Sequence, residues 1–190
     1  MEEQKIDRRV RKTKSQLRQA LIQLMTEKPF KSISVRELSE RADINRGTFY
    51  IHYRDVSDLL QHLEDEMAER LITVCRKYAY TDTAVEAFPY LTELYRFAQE
   101  NADLCQVLLG PNGDRVYTER ICSILHSYFL RDFVARFYSG DRDRLEYFCC
   151  FIVSGNLTLT LQWLSSGTKE TPEEMAQLAG GIIMDGVRAL

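Results

Sequence analysis

Apolar residues recur along most of this 190-residue chain at the spacing of an α-helix. In the first clear segment they stand three and four positions apart, which gathers them on one face of a helix. The members of this stripe are Leu17, Ala20, Leu21, Leu24 and Met25. The pattern predicts a first helix over residues 12–28. Pro29 ends it, because its ring lacks an N–H and disfavours helical geometry in the preceding residue.

Capping motifs divide the next segment into short helices. Ser34 and Glu37 have the spacing of a capping box, in which each side chain binds the backbone N–H of the other residue. Asp43 ends this second helix in a tight turn, since aspartate tolerates left-handed geometry. Asn45 can cap a third helix, and the sequence from Asp55 to Asp58 begins a fourth.

Longer helical patterns fill the rest of the chain. They predict helices over residues 83–99, 102–109, 115–137, 144–165 and 171–189, with a turn-forming loop at 110–114. The candidate strand, LTLTL at 157–161, lies inside one of these helical patterns. The predicted fold is therefore all-α, with about nine helices in all.

Charge is distributed unevenly along this pattern. The first 54 residues carry 13 Lys/Arg and seven Asp/Glu, a net charge of +6, whereas the remaining residues carry a net charge of −9. A basic segment on an acidic body indicates an anionic partner for the basic part, with nucleic acid as the first candidate. The alternative is that solvated helix faces differ in charge by chance.

The third helix has two different faces. Phe49 and Tyr53 lie one turn apart and are predicted to face the core, whereas Gly47, Tyr50 and Arg54 form the opposite stripe. Glycine there costs about 1 kcal/mol relative to alanine, which makes sense if another surface approaches the backbone. Two short helices with a tight turn and an outward cationic stripe describe a helix-turn-helix. The alternative is a generic three-helix subdomain with a solvated face.

The segment FKSISVRELSERADINRGTFYIHYRDVSDLL, residues 30–60, resembles the DNA-binding domain of the TetR/AcrR family of transcription regulators, and the longer pattern resembles the Firmicutes-type branch. The resemblance covers roughly residues 9–60. It implies an N-terminal helix-turn-helix domain over residues 1–54 and a larger helical domain for effector binding and dimerisation over residues 55–190. It also implies a homodimer that binds a palindromic operator in double-stranded DNA, as a repressor that a small-molecule effector releases.

The resemblance also implies which side chains contact DNA. Arg36 and Arg46 are expected at base edges, since arginine to guanine is the commonest specific contact, and Gly47 is expected to allow close approach. Contacts mainly to phosphate or sugar are expected from Ser34, Thr48, Tyr50 and His52, with Lys12 and Lys14 adding attraction from an N-terminal arm. For His52 the alternative is an internal hydrogen bond.

Two positions depart from the family pattern. Asp43 replaces the usual turn glycine. Val56 stands where the family usually has a lysine at the start of the fourth helix, which removes one expected phosphate contact. Arg54 faces the groove in this interpretation and is the candidate to compensate.

The larger part of the chain is rich in aromatic residues, which would suit an apolar or planar effector. The candidate ligand-binding residues are Tyr95, Tyr117, Phe129, Phe133 and Phe151. The last two helices are the predicted dimer interface, with Phe148, Ile152, Gly155, Leu159, Trp163, Gly180 and Ile183 as candidates. In both cases the alternative is a plain core. A further alternative is a larger domain controlled by a protein partner, in a regulator that could be an activator.

The sequence favours no enzymatic chemistry. It has no nucleophile elbow, phosphate-binding loop or dinucleotide fingerprint, and its five cysteines and three histidines have no metal-ligand spacing. We therefore expect no cofactor and no metal. An odd cysteine count without a signal-peptide pattern indicates a cytoplasmic protein, and no apolar run approaches the length that we expect of a membrane span.

Overall fold

The computed structural model describes the backbone of residues 2–79, 88–128 and 140–190, and the side chains of residues 8–77, 89–128 and 140–190. These ranges contain nine α-helices and no strand, which confirms the all-α prediction. The helices are α1 (Glu2–Glu27), α2 (Val35–Arg41), α3 (Arg46–His52), α4 (Val56–Ala79), α5 (Phe88–Glu100), α6 (Ala102–Leu108), α7 (Arg115–Tyr128), α8 (Arg142–Ser165) and α9 (Pro172–Ala189). The parts of the predicted helices at 83–87 and 129–137 lie outside the described residues.

The first helix is longer than the apolar pattern predicts. α1 begins at Glu2 rather than at residue 12, because residues 2–11 lack glycine and proline and are rich in good helix formers. Acidic residues at its N-terminus also interact favourably with the helix dipole. Arg8 and Arg9 are exposed on this extension. The extension therefore has no clear apolar stripe from which the sequence could predict it.

The turn chemistry between the first helices matches the predictions. Ser34 Oγ accepts a hydrogen bond from Glu37 N at 3.2 Å, and Glu37 Oε2 accepts one from Ser34 N at 3.1 Å, which completes the capping box of α2. Asp43 has a φ of 53°, in the left-handed region. The Asn45 side chain caps α3 by accepting from Gly47 N at 2.8 Å. The exit from α2 and the start of α3 are thus both fixed locally.

The fourth helix packs against both the N-terminal helices and the later ones. The first turns of α4 bury Leu59 and Leu60 in the core shared with α1 and α3. Further along, Met67 and Leu71 line a partly open cavity. Val56 is also buried in this core. The valine that replaces the family's usual lysine therefore contributes packing rather than a charge at the surface.

The remaining helices pack around α4. α5 lies against α4 and α9, while α7 lies against α4 and α8. The loop between α6 and α7 reaches the other part of the chain, because Asn112 Nδ2 donates a hydrogen bond to the Met25 carbonyl of α1 at 3.0 Å. Glycine is required at position 113, where a Cβ atom would lie 2.0 Å from the Leu108 carbonyl oxygen.

The eighth helix is long and apolar enough to cross a membrane by length and composition. The core helix of a water-soluble bundle meets the same criteria. Here Cys149, Ile152, Val153, Trp163 and Leu164 are buried against the rest of the chain, and 28% of the most apolar stretch of α8 is buried in all. The LTLTL segment is helical within α8, so its alternation does not produce a strand.

Candidate nucleic-acid interface

The two faces of α3 are separated as the sequence predicts. Phe49 and Tyr53 are buried and their rings are 5.9 Å apart. On the other side Tyr50 is 59% exposed and Ile51 is 77% exposed. The part of the chain that the structure describes leaves this outer face exposed, so a partner has room to bind there.

The arginines around this face differ in their pairing. Arg36 Nε lies 2.8 Å from Glu40 Oε1, and Arg54 Nη2 lies 3.2 Å from Asp58 Oδ1. A backbone hydrogen bond from Arg54 and the ion pair with its guanidinium together lower the pKa of Asp58. Arg46 is exposed and makes no hydrogen bond or ion pair with any residue that the structure describes. Its guanidinium is therefore available to an external acceptor without breaking an internal contact.

The backbone at Gly47 is open to approach from outside. A Cβ atom built there would meet one neighbour within 4 Å, the Asn45 side-chain oxygen of its own cap at 3.3 Å. No other side chain or distant backbone in the described ranges crowds this position, so packing among these residues does not require glycine.

The predicted phosphate contacts lie around the same helices but in different local settings. Ser34 Oγ is already used in the capping box, where it also lies 3.0 Å from Glu37 Oε2. Thr48 and His52 are half-buried, and neither side chain forms a hydrogen bond within the described ranges. An internal hydrogen bond for His52 is thus not seen; its ring lies 6.4 Å from that of Tyr53.

Lys12 and Lys14 do not belong to an extended arm. Both are exposed side chains within α1, because the helix continues to Glu2. Their predicted role as a source of positive potential is unaffected, but their positions are fixed by helical geometry rather than by a mobile segment.

A partly open cavity of about 110 Å³ lies beside α4, with walls from α5, α6, α7 and α8. Tyr95 and Tyr117 line it, as the ligand prediction requires. Phe151 does not: its side chain is 72% exposed on the outer face of α8, so it is corrected as a cavity residue. Phe129 and Phe133 lie outside the described residues.

Sequence reasoning missed two polar side chains of the cavity wall, Asn156 and Thr160. A helical apolar pattern does not distinguish such positions from surface positions.

The dimer prediction needs a similar correction. Ile152, Trp163, Gly180 and Ile183 are buried within the single chain, because they point towards the bundle and are not available to a partner. Phe148 and Leu159 are half-buried and Gly155 is exposed, so for these three the interface stays a prediction. The apolar residues that α8 and α9 do expose are Tyr147, Phe151, Leu178 and Ile182.

Comparison with known proteins agrees with this arrangement. A family model described as bacterial regulatory proteins, tetR family, matches residues 17–63, and one described as a transcriptional regulator C-terminal region matches residues 86–185. The second match spans more than half of the chain. The chain belongs to the TetR family of bacterial transcriptional regulators. This confirms the family expected from the sequence, and both matched families are regulatory rather than catalytic.

Individual relatives of this TetR-family protein are distant. An uncharacterised HTH-type transcriptional regulator, YxbF of Bacillus subtilis (strain 168), is 32% identical over 71 residues. That match covers 37% of this chain and spans only 19% of the relative's length.

Two solved structures show the same fold over nearly the whole chain. A TetR transcriptional regulator from Streptococcus agalactiae 2603V is 24% identical with a TM-score of 0.61, covering 93% of this chain and 96% of the other. The regulator FadR from Bacillus subtilis, solved in complex with stearoyl-CoA, is 14% identical with a TM-score of 0.62, covering 89% and 96%. At these identities the likeness concerns the fold alone.

Proposed function

We propose that this TetR-family regulator acts in the cytoplasm as a homodimer that binds a palindromic operator and represses transcription until a small-molecule effector releases it. The observation that carries the DNA-binding part is the outer face of α3, where unpaired Arg46 adjoins Gly47 and exposed Tyr50. A helix of this kind fits the major groove, where side chains reach base edges.

The base-reading roles fall to Arg46 and Arg36. Arg46 has no internal partner among the described residues to give up. Arg36 would exchange Glu40 for a base or phosphate, and the exchange is cheap because an exposed ion pair contributes about 0–1 kcal/mol. Thr48, Tyr50, His52 and Arg54 are proposed to hold phosphate or sugar and thereby set the register of the helix on the duplex.

Ser34, Lys12 and Lys14 complete the proposed DNA-contacting set. The Ser34 hydroxyl can contact phosphate only while it also serves the capping box. The two lysines add sequence-independent attraction to the phosphate backbone. We therefore assign specificity to α3 and to Arg36, and assign mainly affinity to α1.

The homodimer is proposed to form through the outer faces of α8 and α9. Tyr147 and Phe151 are one turn apart on α8, and Leu178 and Ile182 are one turn apart on α9. Exposed apolar residues gathered on two neighbouring helices are typical of an interaction site. A two-fold dimer presents two α3 helices, and half-sites about one turn of DNA apart, roughly 34 Å, would then form a palindrome.

Release by an effector is supported by the position of the cavity. Its wall includes Met67 and Leu71 of α4, the helix whose first turn follows α3 directly. The hydrogen bond from Asn112 to the Met25 carbonyl gives a second connection, between the α6–α7 loop and α1. A ligand that displaces the walls of the cavity would therefore act on both ends of the DNA-binding unit. The cavity favours control by a small molecule over control by a protein partner. The alternative stays a regulator that a protein partner controls and that could be an activator.

The test is selection of bound sequences from a random pool of duplex DNA, followed by affinity measurements on the selected site by fluorescence anisotropy. We expect an inverted repeat, and an affinity that falls linearly on a logarithmic plot against salt concentration, because phosphate contacts release counterions. An affinity that does not change with salt would contradict the proposed phosphate contacts.

The Arg46→Ala variant tests the base-reading role. We expect it to lose about 1–3 kcal/mol of binding free energy and to relax the preference at one base position. Lys169→Ala, at an exposed cation between α8 and α9, is the control and should bind as the parent does. An equal loss of affinity for all DNA sequences would show that Arg46 contacts phosphate rather than a base.

A further inference from the structure

The cavity beside α4 has an apolar wall that lacks charge in the described part of the chain. Its residues are Met67, Leu71, Leu91, Leu94, Tyr95, Phe97, Ala98, Cys105, Leu109, Tyr117, Ile121, Leu125, Asn156, Leu157, Thr160 and Leu161. No Lys, Arg, His, Asp or Glu is among these described wall residues. A charged ligand group would therefore lose its hydration without gaining a counter-charge from them, which is strongly unfavourable.

The polar groups at one side of the cavity are largely satisfied by one another. The Tyr95 hydroxyl donates to Asn156 Oδ1 at 3.0 Å, and Asn156 Nδ2 donates to the Ile152 carbonyl at 3.1 Å. Thr160 Oγ1 donates to the Asn156 carbonyl at 2.8 Å. Burial raises the pKa of Tyr95 to about 12, so this hydroxyl keeps its proton at neutral pH.

Tyr117 differs from this group. Its side chain is 3% exposed and lines the cavity, yet its hydroxyl forms no hydrogen bond with any residue in the described ranges. The fully enclosed side-chain oxygens without a partner in the described structure are Ser39 Oγ and Glu64 Oε1, so the Tyr117 oxygen is accessible from the cavity. A ligand with one hydrogen-bonding atom would supply a partner for it.

Glu64, Arg120 and Asp65 all act electrostatically on Tyr117, and burial has the largest effect. Glu64 lies on α4 near Tyr117, and one of its carboxylate oxygens is buried without a hydrogen-bond partner in the described structure. Burial, with contributions from Cys105 and Glu64, raises the pKa of Tyr117. Burial thus disfavours a charged group beside this tyrosine, which is the setting of an uncharged ligand.

The volume limits the size of the ligand group that enters the cavity. An engineered cavity of about 150 Å³ accepts benzene, and the cavity here measures about 110 Å³. We propose that this cavity binds an uncharged molecule through a group about the size of a single aromatic ring, with apolar contacts and one hydrogen bond to the Tyr117 hydroxyl. The inference names the chemical class of the effector and rests on the proposed function for its regulatory meaning.

The experiment compares four probes by isothermal titration calorimetry on the full-length protein at pH 7: phenol, toluene, benzoate and benzylamine. We expect saturable binding of phenol, toluene about fivefold weaker because it lacks the hydroxyl, and the two charged probes at least a hundredfold weaker. Benzoate or benzylamine binding as well as phenol would overturn the inference. So would the absence of saturable binding by both phenol and toluene.

Two substitutions connect the binding to the cavity. Tyr117→Phe should remove the preference for phenol over toluene, and Ala98→Leu should fill the space and weaken both by at least tenfold. Tyr90→Phe, whose hydroxyl lies 3.5 Å from Cys75 Sγ and does not line the cavity, is the control and should leave both affinities unchanged. Retained operator binding would show that each variant is folded. Unchanged probe affinities in both cavity variants would overturn the assignment.

Operator affinity with and without phenol separates this inference from the proposed function. Phenol binding that leaves the operator affinity unchanged would support the ligand class and count against effector release. Operator binding by a protein that takes up none of the probes would support the DNA-binding function and overturn the ligand class.

Discussion

At the scale of single residues, Gly47 and Glu64 differ most clearly from what stability alone would select. Gly47 weakens α3 where a methyl group would meet one side-chain oxygen. Glu64 is 6% exposed, and its Oε1 has no hydrogen-bond partner in the described structure. Neither residue increases the stability of the folded chain. Substitution at each position should therefore leave stability equal or raise it while another property changes.

Gly47→Ala should separate stability from DNA binding. Alanine favours the helix by up to about 1 kcal/mol, reduced by the 3.3 Å contact with the Asn45 oxygen, so we expect the free energy of unfolding to stay equal or to rise. Operator affinity should fall at least tenfold, because the added methyl group occupies the space of the closest approach. Urea unfolding and fluorescence anisotropy measure the two quantities. Unchanged operator affinity would mean that DNA does not approach this backbone.

Glu64→Gln should remove a pH dependence of stability. Burial, then the charges of Asp114 and Asp65, raises the pKa of Glu64 from 4.5 to about 7, while Arg120 opposes the shift. The folded state therefore holds this proton more tightly. The stabilisation is fully present below pH 4.5 and is lost as the pH rises through 7. At pH 8 the glutamine variant should be more stable than the parent by roughly 1–3 kcal/mol, and near pH 4.5 the two should be equal.

The control for Glu64 is its exposed neighbour on the same helix. Glu69→Gln changes the same chemical group at an exposed position of α4, so it should leave the pH dependence of unfolding as in the parent. Chemical unfolding at half-unit pH intervals resolves the difference. Parallel pH curves for Glu64→Gln and the parent would show that Glu64 is ionised throughout the range.

At the scale of helices, the sequence predicts those features that depend on residues close together in the chain. The ends of α2 and α3 follow from short-range chemistry at Ser34, Asp43 and Asn45, and the inner face of α3 follows from a clear apolar stripe. α8 is different, because apolar residues lie on several of its sides. Periodicity then cannot tell Trp163, which is buried in the chain, from Phe151, which is exposed. That distinction depends on which neighbours pack against the helix, and these come from distant parts of the sequence.

Two substitutions at Ser34 distinguish helix capping from phosphate contact. Ser34→Ala removes the cap of α2 and should lower the free energy of unfolding by about 1 kcal/mol. Ser34→Asp keeps a good cap but adds a negative charge beside the proposed phosphate position. We expect near-parental stability for the aspartate variant with operator binding weakened at least tenfold. Equal operator affinity for the aspartate variant and the parent would leave Ser34 with a capping role alone.

At the scale of the whole molecule, the surfaces that we propose for DNA recognition and for dimerisation lie at opposite ends of the sequence. The proposed interface uses the outer faces of α8 and α9, whereas the operator meets α1 to α3. Because a single α3 reads only half of a palindrome, loss of the dimer should reduce operator binding although no DNA-contacting residue changes.

Phe151→Asp should convert the dimer to a monomer. A carboxylate at the centre of an apolar interface would be buried without a partner, which is strongly unfavourable. We expect a halved mass in light scattering coupled to gel filtration and much weaker operator binding. Val116→Asp makes the same change at another exposed apolar position, 70% exposed on α7, and should remain dimeric. A dimeric Phe151→Asp variant, or a monomeric parent, would rule out this interface.

The separation of charge along the chain, +6 over the first 54 residues and −9 over the rest, has a consequence for how the protein meets DNA. In the field of a polyanion the molecule experiences a torque as well as an attraction, which turns the basic end forward and the acidic end away. Encounters then begin in an orientation from which α3 can enter the groove. Fewer collisions occur through the acidic side, from which binding cannot follow.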